Sequence, residues 1–310
     1  MNEPADGSGP KRGRYILVAL GVAVGLALLL SLPYLMPDGD REDRALREII
    51  SRIDESGIYR TTVDLQEFGT RVYPSAGNRE AAEYLHDRLA AIPGLEVAYQ
   101  SDRYRNVIAT LPGDGPSSDE VVIVGAHYDS ESSDPEHAPG ATDNGGGAAI
   151  VLELARVMSG YRFNHTVQFA FWNAEEDSRK GSRDFLGSAD ENSLEIRLYV
   201  NYDSACYDPD DRYVLDVMYN DETEPIAQVY ADYNALYGIG FNLTYNVHEC
   251  GSDHTSFWKA GYPAVTTHCE EHSPHVHTPE DTVDFVSTKY AAKHARLGAL
   301  VLSDTAGIRP

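Results

Sequence analysis

Apolar residues in this chain gather in unbroken runs. RNVIATL (105–111), EVVIVGAHYD (120–129), TVQFAFWNA (166–174) and IRLYVNYDS (196–204) string β-branched and apolar residues together without polar alternation. That pattern predicts strands covered on both faces. Between them, GGGAAIVLELARVM (145–158) and the stretch around SRDFLGSA (182–189) predict helices. Strand and helix therefore alternate, and the fold class is α/β: a mixed, mostly parallel sheet sandwiched by helices. The second half repeats the theme with RYVLDVMYN (212–220), a helix over Glu224–Leu236, FNLTYNVHE (241–249), PAVTTH (263–268) and a closing helix, KYAAKHARLGALVLSDTAG (289–307). Ahead of these strands, DREDRALREIISRIDESG (40–57) reads as one polar helix. NREAAEYLHDRLAAI (78–92) reads as another, placing Ala81, Leu85, Leu89 and Ile92 at helical spacing before Pro93 stops it. No internal repeat and no linker divides this part.

The first residues follow a different pattern. From Tyr15 to Leu35 there is no charge at all, a run long enough at about 1.5 Å per residue to cross a hydrocarbon core of about 30 Å. Lys11, Arg12 and Arg14 precede it, the acidic run DGDREDR follows it, and Tyr15 and Tyr34 stand at its two ends. Positive-inside orientation then predicts a short cytoplasmic tail over residues 1–14 and a transmembrane signal anchor over residues 15–36. One globular domain, residues 37–310, is expected outside the cytoplasm, in a periplasmic, extracellular or lumenal space. A cleaved signal peptide would need a shorter apolar stretch and a small-residue cleavage site, and none is found.

Charge and cysteine content narrow the partners. A formal net charge of -24 repels phosphates, so nucleic acid is not an expected partner, and the acidity reads first as a solvated surface. Cys206, Cys250 and Cys269 have no paired spacing and give no disulfide framework. Cys250 with Cys269 is the one pair an oxidising compartment could close.

Polar residues stand where the apolar runs stop, which is where open α/β sheets bind ligands. EVVIVGA ends in His127, with Asp129 two positions on; Asp143 opens the glycine-rich start of the next helix; TVQFAFWNA ends in Glu175 and Glu176; IRLYVNY ends in Asp203. His277 lies in a turn-rich loop before the last helix, HVHTPEDT. Singly, Asp143 reads as well as a helix N-cap, His127 as a hydrogen-bonded core histidine, and the loop with His268, His272, His275 and His277 as a surface cluster. Together they are ligand-type groups for zinc, which takes imidazole nitrogen and carboxylate oxygen. Two zinc ions about 3.5–4 Å apart need a shared ligand. Asp143 is the choice for that bridge, with His127 and Asp203 completing one ion and Glu176 and His277 the other. Neighbours in extended chain face opposite ways, so with Glu176 turned to metal, Glu175 faces the metal-bridging water as general base. Asp129 is expected one layer out, accepting the free N–H of His127.

At these residues the chain resembles the co-catalytic zinc aminopeptidases of the aminopeptidase Y and bacterial leucyl aminopeptidase type, a family that also includes glutamate carboxypeptidases and glutaminyl cyclases. HYDS from His127, PGATDNGGGAAIVLELAR from Pro139, FWNAEED from Phe171, NYDS from Asn201, SDHTSFWKAGYPA from Ser252 and HTPEDT from His277 carry the likeness, which spans about Glu67 to the C-terminus. It implies a zinc-exopeptidase, phosphorylase/hydrolase-like fold with a central sheet of about eight strands, two Zn2+ per chain on His127, Asp143, Glu176, Asp203 and His277, and Glu175 as base. The implied activity is release of N-terminal residues from peptides. Just before SDH stands HECG, where no oxyanion-stabilising side chain is identifiable; His248, Glu249 and Asp253 are the candidates to contact substrate there. The side-chain pocket is expected in the loops after Asp203 and around Tyr207 to Asp211.

Two other functions compete. A glutaminyl-peptide cyclotransferase on the same scaffold runs with one zinc and generally does without the histidine that stands here as His127. A receptor-like inactive member would have lost ligands, and none is missing. A carboxypeptidase would need a cationic cluster for a substrate carboxylate, and no arginine group suggests one. Side-chain preference and oligomeric state are not legible.

Overall fold

The structure, a computed structural model, describes residues 38–191, 193–249 and 251–309. The span expected to cross a membrane, 15–36, and Cys250 of the candidate pair lie outside the described residues; among those described, no helix is long and apolar enough to cross a membrane. The chain divides into two units, residues 1–45 and residues 46–310. The described part of the first is the opening of helix α1 (Asp38–Ser51); the second holds everything below.

Eight strands form one sheet: β1 (Glu96–Gln100), β2 (Asn106–Leu111), β3 (Glu120–His127), β5 (Thr166–Trp172), β6 (Glu195–Tyr202), β7 (Val214–Tyr219), β8 (Asn242–Val247) and β9 (Ala264–Cys269), in the order β1-β2-β5-β3-β6-β9-β7-β8. The central run β5-β3-β6-β9 is parallel, and β7 pairs parallel with β8. The antiparallel pairs are β1 with β2, β2 with β5 and β7 with β9. A two-residue strand β4 (Arg162–Phe163) pairs separately with β10 (Ile308–Arg309). The sheet is thus mixed and mostly parallel, with eight strands, as expected.

Covered faces account for the continuous apolar runs. After its first residue β3 is buried throughout. One face packs on helix α4 (Gly146–Met158), which lies with α2 (Glu55–Gln66) and α8 (Thr288–Thr305). The other carries Val121 and Ile123 into a cluster with Trp172, Tyr199, Phe185 of α5 (Lys180–Glu191) and Phe257 of α7 (His254–Ala260). Tyr199 stacks on Phe257 with ring centroids 3.9 Å apart and accepts the Trp172 indole N–H at 2.8 Å, so its polar end is satisfied inside an apolar layer. Gly125 permits this, because a Cβ there would lie 2.8 Å from Trp172 Nε1. Helices α3 (Ala76–Ala90) and α6 (Glu224–Leu236) complete the frame.

Three expectations change. The helix expected over 40–57 is two: α1 ends at Ser51, and Asp54 takes extended backbone (φ -95°, ψ 98°) with its N–H donated to Glu153 Oε1 at 2.6 Å. Helix α2, not anticipated, buries Ile58, Thr61, Thr62 and Leu65, at helical spacing but with threonines in half the places. β1 was also not anticipated; it is a half-exposed edge strand held by antiparallel pairing with β2.

Candidate metal centre and substrate cavity

Parallel pairing sets the carboxyl ends of β5, β3 and β6 side by side, with His127 level with Trp172 and Gly125 with Asn201. Residues that follow those ends therefore meet, although they lie far apart in sequence. His127 closes β3, Glu175 and Glu176 follow β5, and Asp203 follows β6. Asp143 sits in a π-type turn, Ala141–Gly145, that leads into α4; its backbone is extended (φ -130°, ψ 91°) and the peptide bond after it is cis. Gly147 lets this turn close on β6, since a Cβ there would stand 2.1 Å from Asn144 Oδ1 and 2.8 Å from the Tyr202 carbonyl.

The five expected ligand residues converge. His127 Nε2 lies 3.2 Å from Asp143 Oδ1 and 3.6 Å from Asp203 Oδ1, and His277 Nε2 lies 3.2 Å from Asp143 Oδ2 and 3.1 Å from Glu176 Oε2. Asp143 thus turns one carboxylate oxygen to each imidazole. Glu131, which drew no attention in the sequence, brings Oε2 to 3.9 Å from His277 Nδ1.

The charges in this cluster ask for cations. Burial pulls the Asp143 carboxyl up, but hydrogen bonds from His127 and His277 outweigh it and hold it well below the carboxylate range. Burial likewise opposes ionisation of Asp203, and His127 overrides it. His277, between Asp143 and Glu176, is pushed up to about 11. Burial raises Glu176 to about 7, and its Oε1 is a buried oxygen without a hydrogen-bond partner. These imidazoles and carboxylates, one of them with an orphaned oxygen, are donors of the kind zinc takes, and they fall into two groups, His127 with Asp143 and Asp203, and Glu131 with Glu176 and His277.

Glu175 lines the cavity beside this cluster, and burial, reinforced by Asp253 and Asp203 against the opposing pull of His127, pushes its carboxyl up to about 10. Asp129 carries more than the single hydrogen bond expected of it. Its two oxygens accept the main-chain N–H groups of Glu175 at 3.1 Å and Glu176 at 3.2 Å, while His127 Nδ1 lies 3.2 Å from the Asp129 carbonyl and 3.5 Å from its Oδ1. Asp253 is wholly buried, raised by burial to about 7, and does not line the cavity, so it stands behind the wall and not in contact with substrate. Glu249 does line the cavity, whereas His248 is exposed and contacts Asp221 at 3.1 Å.

The cavity, about 310 Å³, is walled beyond the cluster by Ser204, Met218, Glu249, Thr266, His268 and His272. The expectation for the side-chain pocket holds in part: Ser204, directly after Asp203, lines this cavity, whereas Tyr207 to Asp210 line a separate depression with Glu270 and Glu271. The reason is topological, because β7 returns antiparallel to β9 and brings Met218, not the loop before it, level with Thr266.

Two supporting residues were missed. Asp281 accepts the N–H of Thr142 at 3.1 Å, its hydroxyl at 2.5 Å and the N–H of Asp143 at 3.1 Å. Its only signal was membership of the His277 segment. Arg71, fully buried, donates to the carbonyls of Tyr128 (2.8 Å), Leu65 (3.0 Å), Pro139 (2.6 Å) and Gly140 (2.9 Å). Nothing in its surrounding sequence marked it.

Comparison with known proteins bears on the family and the fold. Residues 106–302 match the model of peptidase family M28. A probable leucine aminopeptidase of Trichophyton verrucosum is 27% identical over 272 residues, covering 80% of this chain and 72% of the relative. LapB from Legionella pneumophila superposes with a TM-score of 0.75 at 22% identity, over 85% of this chain and 75% of that one. An aminopeptidase from Aneurinibacillus sp. strain AM-1 superposes with a TM-score of 0.73 at 18% identity, over 85% and 97%.

Proposed function

The chain belongs to peptidase family M28 and is a metal-dependent aminopeptidase, and we propose that it works with two zinc ions, one held by His127 and Asp203, the other by Glu176 and His277, with Asp143 shared. The observation that carries this reading is the split carboxylate of Asp143, one oxygen 3.2 Å from each of two imidazoles. When bound, the ions supply Lewis acidity, polarising the scissile carbonyl and lowering the pKa of water from about 15.7 towards about 7.

The remaining work falls to side chains. Glu175 takes a proton from the attacking water as the C–O bond forms and returns it to the amine nitrogen as the C–N bond breaks, so the group ends as it began. Its place on the cavity wall beside the cluster puts it within reach of both transfers. Asp129, accepting both N–H groups of the Glu175–Glu176 pair, orients them relative to His127. The cavity beside the cluster is where the substrate's amino end and its side chain would sit. Residues 15–36 serve as an anchor that holds the catalytic unit outside the cytoplasm, supported by their uncharged sequence and the basic residues before it.

Zinc content measured alongside hydrolysis of aminoacyl-nitroanilides, with and without chelator, tests this. Two ions per chain and chelator-sensitive release are expected. A single tight ion with cyclisation of N-terminal glutamine would move the chain to the cyclase reading, and absence of metal-dependent release from any substrate would end the peptidase one.

A further inference from the structure

The two imidazoles of the metal centre are held in unlike ways. His127 closes β3 with its side chain 1% exposed, and its Nδ1 lies against the carbonyl and Oδ1 of Asp129. His277 sits on a loop outside any strand or helix, with left-handed backbone (φ 59°) and its side chain 45% exposed. Its Nε2 faces Asp143 and Glu176, so what faces Nδ1 decides how the ring is presented to a metal.

Glu131 is the residue placed there. Its Oε2 lies 3.9 Å from Nδ1, and an oxygen of Glu131, an oxygen of Glu176 and a nitrogen of His277 fall within 4.8 Å of one another. The segment that carries Glu131 is anchored on both sides of it. Ser130, buried, accepts the Arg71 N–H at 3.1 Å and donates to the Ala138 carbonyl at 2.8 Å; Ser132, also buried, accepts the Asp134 N–H at 3.1 Å. Glu131 stands exposed between them. Ser133 then donates its N–H to the His277 carbonyl at 2.9 Å, which ties this segment to the histidine's own loop. The main chains of both partners are therefore fixed, and only the glutamate side chain remains to be turned. At 3.9 Å the pair is in ionic contact, and the further approach of about 1 Å that a hydrogen bond needs lies within the reach of that side chain.

Water can also serve an exposed N–H, so the carboxylate matters for its charge. An ionised acceptor bonds roughly twice as strongly as a neutral one. It keeps the ring proton on Nδ1 and leaves the Nε2 lone pair aimed between Asp143 and Glu176. Resting on the two-zinc reading above, we propose that Glu131 is the positioning residue of His277, doing from a surface loop what Asp129 does for His127 from the interior, and that it sets how tightly the Glu176–His277 half of the centre holds its ion.

Zinc binding by the unaltered protein, Glu131→Ala and Glu131→Gln, titrated in competition with a chromogenic chelator, tests this without any turnover. The unaltered protein is expected to take up two ions. Glu131→Ala is expected to hold one of them as before and the other about tenfold or more weakly. Glu131→Gln keeps an oxygen that can accept the N–H, and its loss is expected to be smaller. Melting of the metal-free proteins should not separate the variants from the parent, because an exposed ion pair contributes little to stability. Two ions bound by Glu131→Ala as tightly as by the parent overturn the proposal. Weakening of both ions together with a lowered melting temperature of the metal-free variant also overturns it, by making Glu131 a support of the loop. An unaltered protein that binds fewer than two ions sinks the two-zinc reading itself, so the two failures are read from different proteins.

Discussion

Asp281 Oδ1 accepts both the main-chain N–H of Thr142, at 3.1 Å, and its hydroxyl, at 2.5 Å. Thr142 precedes Asp143, and the other Asp281 oxygen takes the Asp143 N–H at 3.1 Å, so this carboxylate fixes the backbone from which the shared ligand projects. Asp281→Asn puts an amide donor against one of these N–H groups. Zinc affinity is expected to fall by about 10- to 100-fold, the usual effect of losing a group that orients a ligand. Competition with a chromogenic chelator checks it, and unchanged affinity in a folded variant would show that the turn holds itself.

Glu175→Gln keeps the shape of the side chain and removes its capacity to carry a proton. Metal content should remain that of the unaltered protein, while kcat falls by about 10²- to 10⁴-fold. Elemental analysis and nitroanilide hydrolysis on the same preparation separate the two effects. A variant that keeps both zinc and full rate would assign the proton transfer to another group.

Much of this arrangement was legible because of how the strands are covered. β3, β5 and the later half of β6 are covered, so each appears as a largely apolar run whose carboxyl end is marked by ligand-type residues, His127, Glu175 with Glu176, and Asp203. Helix α2 was illegible for the opposite reason: Thr61 and Thr62 face the core, their methyl groups packing where a hydropathy pattern registers a polar residue. The pairing of Asp216 with His268 depends on the antiparallel return of β7, which no local periodicity encodes, and that is also why part of the pocket wall was sought around Tyr207 to Asp211. Arg71 acts entirely on carbonyls of remote segments, so its role exists only once those segments meet.

Arg71 makes a prediction about stability. Its guanidinium reaches Leu65 at the end of α2, Tyr128 after β3, and Pro139 and Gly140 before Asp143, a planar fork serving three segments at once. Burial lowers its pKa to about 10, still far above neutrality, and Asp281, Asp129, Asp143 and Glu176 pull the other way. Arg71→Lys keeps the charge but cannot reach all four carbonyls, and buried acceptors left unpaired cost about 1–3 kcal/mol each. Urea unfolding is expected to show a loss of about 3 kcal/mol or more. Stability within about 1 kcal/mol of the parent would mean that the carbonyls find other donors.

His294 gives the fold a dependence on pH that is separable from the metal centre. It is fully buried in α8, with Nδ1 3.1 Å from the Ala205 carbonyl and Nε2 2.7 Å from Thr267 Oγ1, so the closing helix is tied to the segment after Asp203 and to β9. Burial, only partly offset by the Ala205 carbonyl, lowers its pKa to about 3 from the ordinary 6.5. The unfolded chain therefore accepts a proton that the folded one refuses. The contribution of this neutral imidazole is complete above pH 6.5, shrinks as pH falls below that value, and levels off only near pH 3, where the folded state also takes up the proton. Over that window stability changes by up to about 1.4 kcal/mol per pH unit from this one group. His294→Asn removes the titration and should be less stable than the parent at pH 7, with the gap narrowing as pH is lowered to 5. Urea unfolding of both proteins across that range, with chelator present throughout so that metal release contributes nothing, measures the gap. Parallel curves would mean that His294 is protonated in the folded protein, and that the hydrogen bonds to Ala205 and Thr267 are made by a cation.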